Sequence, residues 1–259
     1  MLTELNGKGG RVCELAGKGE IRCPLIVRPT SEDVVTGNLF GVLSVLNPRW
    51  WVPDLLNRAL SASRFDRQVF RRFEVVLWES RPRYPGHLLP WEEGSTEVDV
   101  ALRWENPPTT VYIEMKYGSD VSAKTSGDNG RHGYSSDQLV RNARVGLHEC
   151  GYLRTRSLFP RPPRDFVLLL VSPRPNHPLV RRYRDTNRLL SAIPKNDQLQ
   201  QLPPEPFIGE CTYRGLRTIL AEQRRWFTRT EQRLIDRLLN YLAWKEHRVP
   251  SCDFNGRHR

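Results

Sequence analysis

Short stretches in which apolar and polar residues alternate predict three consecutive β-strands in the first half of the chain. In the second half, a continuous apolar run and a shorter apolar stretch ahead of a helical pattern predict two buried strands. The five predicted strands span residues 71–80, 95–104, 109–116, 165–172 and 206–213.

Apolar residues at helical spacing predict helices before, between and after these strands. Glu32 and Asp33 stand where acidic residues favour the first turn of a helix, and Thr228 with Glu231 forms a capping box. The predicted helices span residues 31–46, 52–64, 137–149 and 214–226, with a last one from 228 onward.

This order of elements predicts one α/β domain over residues 30–248, with helical additions at both ends of the strand region. Residues 1–29 contain the related sequences GKGGRVCEL and GKGEIRCPL, whose glycines predict the turns of a hairpin-like extension. Residues 249–259 are expected to form a loose tail.

The charge of the chain favours a polyanionic partner. Lys and Arg number 40 against 29 Asp and Glu, which gives a net charge of +11 and a pI near 9.8, and nucleic acid is the usual partner of such a surplus. The five cysteines show no C-x-x-C spacing, so a zinc or iron–sulfur site is not expected. Without a long apolar stretch or a signal-peptide pattern, we expect a cytoplasmic protein that does not enter a membrane.

One predicted strand carries charges where a buried sheet face is expected. Glu114 and Lys116 lie two residues apart, so they point to the same face, and an antiparallel neighbour would place Asp99 beside them. Buried charges are costly unless they pair or hold a metal ion. Carboxylate oxygens next to a lysine suit Mg²⁺, for which Asp99, Glu114 and the Met115 carbonyl are the predicted ligands. Lys116 would then position water or neutralise charge on phosphorus.

Other interpretations of these residues remain open from sequence alone. Glu114 and Lys116 could form an ion pair on a solvated sheet edge, and Glu97 could replace Asp99 as a ligand because it shares its predicted face. Glu32 also suits a helix N-terminus simply because its charge favours the helix dipole. His132 stands alone in a Gly-rich stretch, where a solvated loop residue is the ordinary interpretation.

Asp99 followed by Glu114-Met115-Lys116, each on a predicted strand, resembles the motif of the PD-(D/E)XK nuclease superfamily. The resemblance implies a restriction-endonuclease-like mixed central sheet flanked by helices. It also implies Mg²⁺-dependent hydrolysis of nucleic acid, DNA rather than RNA, with Mn²⁺ able to replace Mg²⁺. Restriction, repair and antiphage defence, with the partner proteins of such systems, are the settings in which relatives act.

The same resemblance assigns roles to two residues outside the strands. Glu32, or Asp33 in its place, matches an acidic residue that the first helix of these nucleases contributes to the metal site, and Gln138 matches a glutamine at the start of a later helix. The chain departs from the pattern at Val98, where relatives often have Pro, and at Asn142, where some have Tyr. Arg141 is therefore the expected phosphate contact of that helix.

The polar, Gly-rich stretch from residue 118 to 136 is predicted to be a flap over a nucleic-acid groove, or else an incidental surface loop. Lys124 and Arg131 are its expected phosphate contacts, and Tyr134 its expected base-stacking residue. Two further functions remain as alternatives: a catalytically inactive nucleic-acid-binding module with the same fold, and a basic adaptor that docks on protein.

Overall fold

A mixed sheet of five strands forms the centre of the chain. The computed structural model describes residues 15–16, 20–21, 32–117, 134–135, 137–154 and 162–246. The first two pieces are the short strands β1 (Leu15–Ala16) and β2 (Glu20–Ile21), which pair antiparallel. The central strands are β3 (Arg71–Arg81), β4 (Thr96–Glu105), β5 (Thr109–Met115), β6 (Asp165–Ser172) and β7 (Ile208–Thr212).

The strands of the sheet lie in the order β3-β4-β5-β6-β7. β4 runs antiparallel to both β3 and β5, whereas β6 and β7 run parallel to β5. Parallel neighbours need a crossover connection, and helices supply it here. The five predicted strands are confirmed, with shifts at their ends.

Seven helices of the described residues cover the two faces of the sheet. They are α1 (Glu32–Leu43), α2 (Val52–Leu60), α3 (Gln138–Glu149), α4 (Pro178–Tyr183), α5 (Thr186–Ala192), α6 (Tyr213–Gln223) and α7 (Arg229–Glu246). Apolar residues of α1, α2, α6 and α7 form one core with the sheet, and those of α3, α4 and α5 form a second core on the opposite face. The chain is therefore a three-layer α/β structure.

Local signals explain several helix boundaries. Asp137 accepts a hydrogen bond from Val140 N and so caps α3, and Thr212 caps α6 through Gly215 N. Thr228 and Glu231 form the reciprocal bonds of the predicted capping box ahead of α7. The predicted helix 214–226 ends earlier, because the chain tightens to a 3₁₀ turn over Arg224–Trp226.

Two expectations differ from the structure. The short helices α4 and α5 were not predicted, since each is only about two turns long and carries few apolar residues. Val98 packs in the same core as Ala101, although strict alternation predicts that it shares the core of Val100 and Leu102. The difference occurs where β4 leaves β5: the last pair of that ladder is Val100 opposite Ile113.

Glycine permits α3 to lie close to the sheet. A Cβ atom added at Gly146 would come 2.1 Å from the Phe166 ring of β6, far inside contact distance. This close approach places the buried side of α3 directly over β5 and β6.

Other parts of the sequence predictions lie outside the described residues. They are most of the predicted hairpin over residues 1–29, the Gly-rich stretch from 118 to 133, and the tail over 249–259. Among the described residues, no helix combines the length and apolar character that crossing a membrane requires.

Candidate active site

The candidate site lies where β4 separates from β5. Beyond the Val100–Ile113 pair, the backbone amide of Met115 donates to Asp99 Oδ2 at 2.8 Å, so a side chain takes the place of a ladder partner. On its other side β5 stays attached to β6, and the Lys116 amide donates to the Val171 carbonyl at 2.8 Å. The fork therefore opens on one side of β5 while the backbone that carries Glu114 is held on the other.

Glu114 is fully buried at this fork. Its Oε1 lies 2.7 Å from Lys116 Nζ in an ion pair, and its Oε2 accepts a hydrogen bond from Asn142 Nδ2 at 2.9 Å. Asn142 is fully buried on α3, one turn after Gln138. The strand and the helix thus each orient one oxygen of the same carboxylate.

Lys116 is joined to the start of α1. Its Nζ lies 3.0 Å from Glu32 Oε1, and the other Glu32 oxygen accepts the backbone amide of Tyr117 at 3.0 Å. The Tyr213 hydroxyl donates to the Lys116 carbonyl at 2.9 Å. Glu32 and Lys116 are 84 residues apart in sequence, so only packing of α1 against this end of the sheet brings them together.

Burial and mutual repulsion alter the acidity of the cluster. Burial, with the charge of Glu114 next, raises the pKa of Asp99 well above its ordinary value. Burial also raises the pKa of Glu114, although Lys116 and the hydrogen bond from Asn142 act against it. Burial alone would lower the pKa of Lys116, but Glu114, Glu32 and Asp99 outweigh it and raise that pKa. Three carboxylates thus surround one ammonium group, an arrangement that favours a further cation or bound protons.

The donor atoms suit a hard cation such as Mg²⁺. No group of three or more His, Cys, Asp and Glu in the described part of the chain is placed to hold a metal ion, but Mg²⁺ commonly takes one or two carboxylates and keeps water and phosphate oxygens. Asp99 and Glu114 supply two such carboxylates, and the Met115 carbonyl directly follows Glu114 in sequence. Asn142 Oδ1 is buried and has no hydrogen-bond partner among the described residues, which leaves one oxygen acceptor beside Glu114.

The other predicted site residues lie at different distances from this cluster. Gln138 is half-buried as the first residue of α3, and its side chain forms no hydrogen bond with a described residue. Asp33 follows Glu32 in the first turn of α1. Glu97 lies two residues before Asp99 on β4, and its register partner is Ser80 of β3, the strand on the other side of β4 from β5. The predicted metal role of Glu32 stays a prediction, since both of its oxygens hold Lys116 or Tyr117.

Of the predicted nucleic-acid contacts, Arg141 and Tyr134 lie among the described residues. Arg141 donates to the carbonyls of Gly94 and Ser95 and to Thr96 Oγ1, so its guanidinium fixes the segment that enters β4. Tyr134 is half-buried, with its ring 6.4 Å from that of Trp91. Lys124, Arg131 and His132 lie outside the described residues.

Sequence reasoning did not assign Asn142 and Tyr213 to the site. In the sequence, Asn142 stands out only as a departure from the tyrosine of some relatives, and its contact with Glu114 depends on how closely α3 approaches the sheet. One signal was available: it lies four residues after Gln138, on the same side of the helix. Tyr213 carries no comparable signal, because its contact is with a backbone carbonyl.

Comparison of the chain with protein-family models, with curated proteins and with solved structures finds no match. A function for this chain is therefore argued from the contacts and charges of the carboxylate–lysine cluster alone.

Proposed function

We propose that this chain is a metal-dependent nuclease that hydrolyses phosphodiester bonds in DNA. The observation that carries the proposal is the convergence of Asp99, Glu114 and Lys116 at the open fork of β4 and β5, with Lys116 Nζ 2.7 Å from Glu114 Oε1. A solvated surface ion pair does not account for it, since Glu114 is fully buried and Lys116 nearly so.

Asp99 and Glu114 would hold the Mg²⁺ ion, or Mn²⁺ in its place, with the Met115 carbonyl as a further donor. When bound, such an ion polarises a phosphodiester and lowers the pKa of a coordinated water molecule. Asn142 orients Glu114 through its amide, as partners of metal ligands commonly do. Lys116 presents its ammonium group where negative charge develops on phosphorus. Glu32 and Tyr213 hold the side chain and the carbonyl of that lysine in place.

A restriction-endonuclease-like fold belongs to the same proposal. It is supported by a sheet in which three antiparallel strands are followed by two parallel ones, with the carboxylates at one end of the third strand. The net charge of +11 supports nucleic acid as the substrate. A role in cytoplasmic restriction, repair or antiphage defence, with partner proteins of such a system, follows from the resemblance to PD-(D/E)XK nucleases.

Cleavage of supercoiled plasmid DNA in Mg²⁺ tests the proposal. The isosteric variants Asp99→Asn and Glu114→Gln should lose cleavage by several orders of magnitude while still binding DNA, because each removes a negatively charged metal ligand. Glu97→Gln is the matched control on the same strand, and it should cleave like the wild type. Full activity in either Asp99→Asn or Glu114→Gln would overturn the assignment.

One observation favours the inactive module as the second candidate. Lys116 forms ion pairs with both Glu114 and Glu32, so its ammonium group already compensates negative charge that a metal ion would neutralise. Wild-type protein that binds DNA but cleaves nothing in Mg²⁺ or Mn²⁺ would select that candidate.

A further inference from the structure

The solvent-facing side of α7 carries arginines at a regular spacing. Arg229, Arg233 and Arg237 are four residues apart and all exposed. This spacing places the three side chains on one side of the helix, about 6 Å apart along its axis. An exposed tryptophan lies near each end of the row: Trp226 is 52% exposed and Trp244 is 43% exposed. We call these five residues the arginine face of α7.

The positive charge of the arginine face is not neutralised within the described part of the chain. None of Arg229, Arg233 and Arg237 forms an ion pair with a described residue, and the three acidic residues of α7 are engaged elsewhere. Asp236 binds Arg224 through two hydrogen bonds of 2.7 Å, and Glu246 pairs with Arg217 at 3.2 Å. Glu231 accepts hydrogen bonds from Thr228 and from the Asn47 amide. The acidic groups of α7 are therefore paired with other residues, including Asp236, which lies three residues after Arg233 on the same side of the helix.

Both tryptophans belong to stacked aromatic pairs. The ring of Trp226 lies 5.6 Å from that of Trp50 at an angle of 18°, and the guanidinium of Arg225 lies 4.9 Å above it. The ring of Trp244 lies 6.4 Å from that of Tyr241 at 25°. Such support holds each exposed ring in one orientation. A base that stacked there would take the place of the cationic group over the ring, which is Arg225 at Trp226 and Lys245, 5.5 Å from the ring centre, at Trp244.

The C-terminal end of α7 packs against Tyr117, the residue that follows Lys116. The ammonium group of Lys245, next to Trp244, lies 4.7 Å from the ring centre of Tyr117, and the Tyr117 hydroxyl donates to the Lys245 carbonyl at 2.8 Å. Tyr117 directly follows Lys116 and is bound to Glu32 through its amide. A ligand that follows the arginine face along α7 from Arg229 to Trp244 spans about 22 Å and ends on the part of the helix that packs against Tyr117.

An arginine-rich outer side is common on surface helices and by itself indicates only solvation. The combination of three unneutralised arginines with a supported, exposed tryptophan near each end is more specific. Phosphates bind the arginines and bases stack on the rings, as in proteins that bind single strands. The bases of a duplex are stacked on one another, so their faces cannot reach these tryptophans.

We propose that the arginine face of α7 binds single-stranded nucleic acid and leads the strand to the candidate active site. Delivery of the strand to a cleavage site rests on the proposed nuclease function, whereas binding of the strand does not. The substrate class that follows is DNA with an unpaired strand at or next to the scissile bond.

The test is a binding titration in EDTA, where hydrolysis plays no part. Fluorescence anisotropy of a labelled single-stranded oligonucleotide of about 20 nucleotides is followed while the salt concentration is raised. Replacing Arg229, Arg233 and Arg237 together by Gln should reduce the slope of log K against log salt by about 2, because three phosphate contacts are lost. Trp226→Ala and Trp244→Ala should each weaken binding about tenfold.

A matched control variant carries Gln at Arg154, Arg181 and Arg182, which are exposed residues on the α3 and α4 side of the sheet. It loses the same charge and should retain most of the affinity. The proposal would be overturned if the arginine-face variant bound the oligonucleotide as tightly as this control. It would also be overturned if the variant lost the same affinity for single-stranded and for duplex DNA, or if the protein bound phosphatidylserine vesicles but not the oligonucleotide. Strand binding by a protein that cleaves nothing would refute the nuclease function and leave the arginine face supported.

Discussion

Asn142 on α3 donates a hydrogen bond of 2.9 Å to Glu114 on β5, and both side chains are fully buried. The bond joins the helical layer to the sheet at the centre of the candidate site. Because buried polar groups must be paired, the orientation of Glu114 depends on this helix as well as on its own strand.

Asn142→Ala should therefore lower cleavage or Mg²⁺ affinity by about 10- to 100-fold, as is usual for partners of metal ligands. Single-turnover cleavage over a range of Mg²⁺ concentrations measures both quantities. Gln138→Ala is the matched control, since it removes an amide one turn earlier on α3 that forms no hydrogen bond with a described residue. A larger loss in Gln138→Ala than in Asn142→Ala would contradict this interpretation and favour the glutamine predicted from the superfamily resemblance.

Lys116→Met should lower the cleavage rate at saturating Mg²⁺ by about 10²- to 10³-fold, the usual effect of removing a group that stabilises transition-state charge. Mg²⁺ affinity should not fall, because the change removes an ammonium group 2.7 Å from Glu114. Single-turnover rates across a metal titration separate the two effects. Lys195→Met, at an exposed position, is the control. A loss of metal affinity with an unchanged saturated rate would show that Lys116 is structural.

The raised pKa values of Asp99 and Glu114 predict a pH-dependent stability without metal. Both carboxyl groups hold their protons more tightly in the folded state, so their contribution is complete below their ordinary pKa values of 3.8 and 4.5 and is lost as pH rises through the folded values. Thermal unfolding in EDTA should thus show a fall in stability with rising pH that is smaller in Asp99→Asn.

Added Mg²⁺ should restore stability at the higher pH values, because it binds the ionised carboxylates of the folded state. Asp99→Asn should gain much less from the metal. If wild type and Asp99→Asn respond to Mg²⁺ equally, the ion binds elsewhere. Comparing the two proteins also cancels the contributions of Glu79 and Asp165, whose pKa values burial raises as well.

Gly146→Ala should destabilise the protein by about 1–3 kcal/mol, because the new methyl group would overlap the Phe166 ring and push α3 from the sheet. The same shift should weaken the Asn142–Glu114 contact and lower cleavage. Gly41→Ala on α1 is the control: an added Cβ meets nothing within 4 Å there, and alanine favours a helix by up to about 1 kcal/mol. Chemical denaturation measures both changes, and equal stability in the two variants would contradict the packing argument.

The sequence by itself determined much of the site on β4 and β5. Side chains alternate along a strand, so Glu114 and Lys116 had to lie on one side, and the short turn after residue 105 made Asp99 a neighbour of Glu114. The capping box of Thr228 and Glu231 was equally local, and it is present as predicted. These features could be predicted because they depend on residues close together in sequence or on strands joined by a tight turn.

Only the tertiary structure decided how the helices complete the cluster. Glu32 reaches Lys116 because α1 packs against one face of the sheet. Asn142 reaches Glu114 because Gly146 allows α3 to pack closely against the other face. Sequence distances of 84 and 28 residues separate these partners. Neither periodicity nor composition shows that these partners meet. Their contacts follow from how the layers pack and from which small residues allow two backbones to approach.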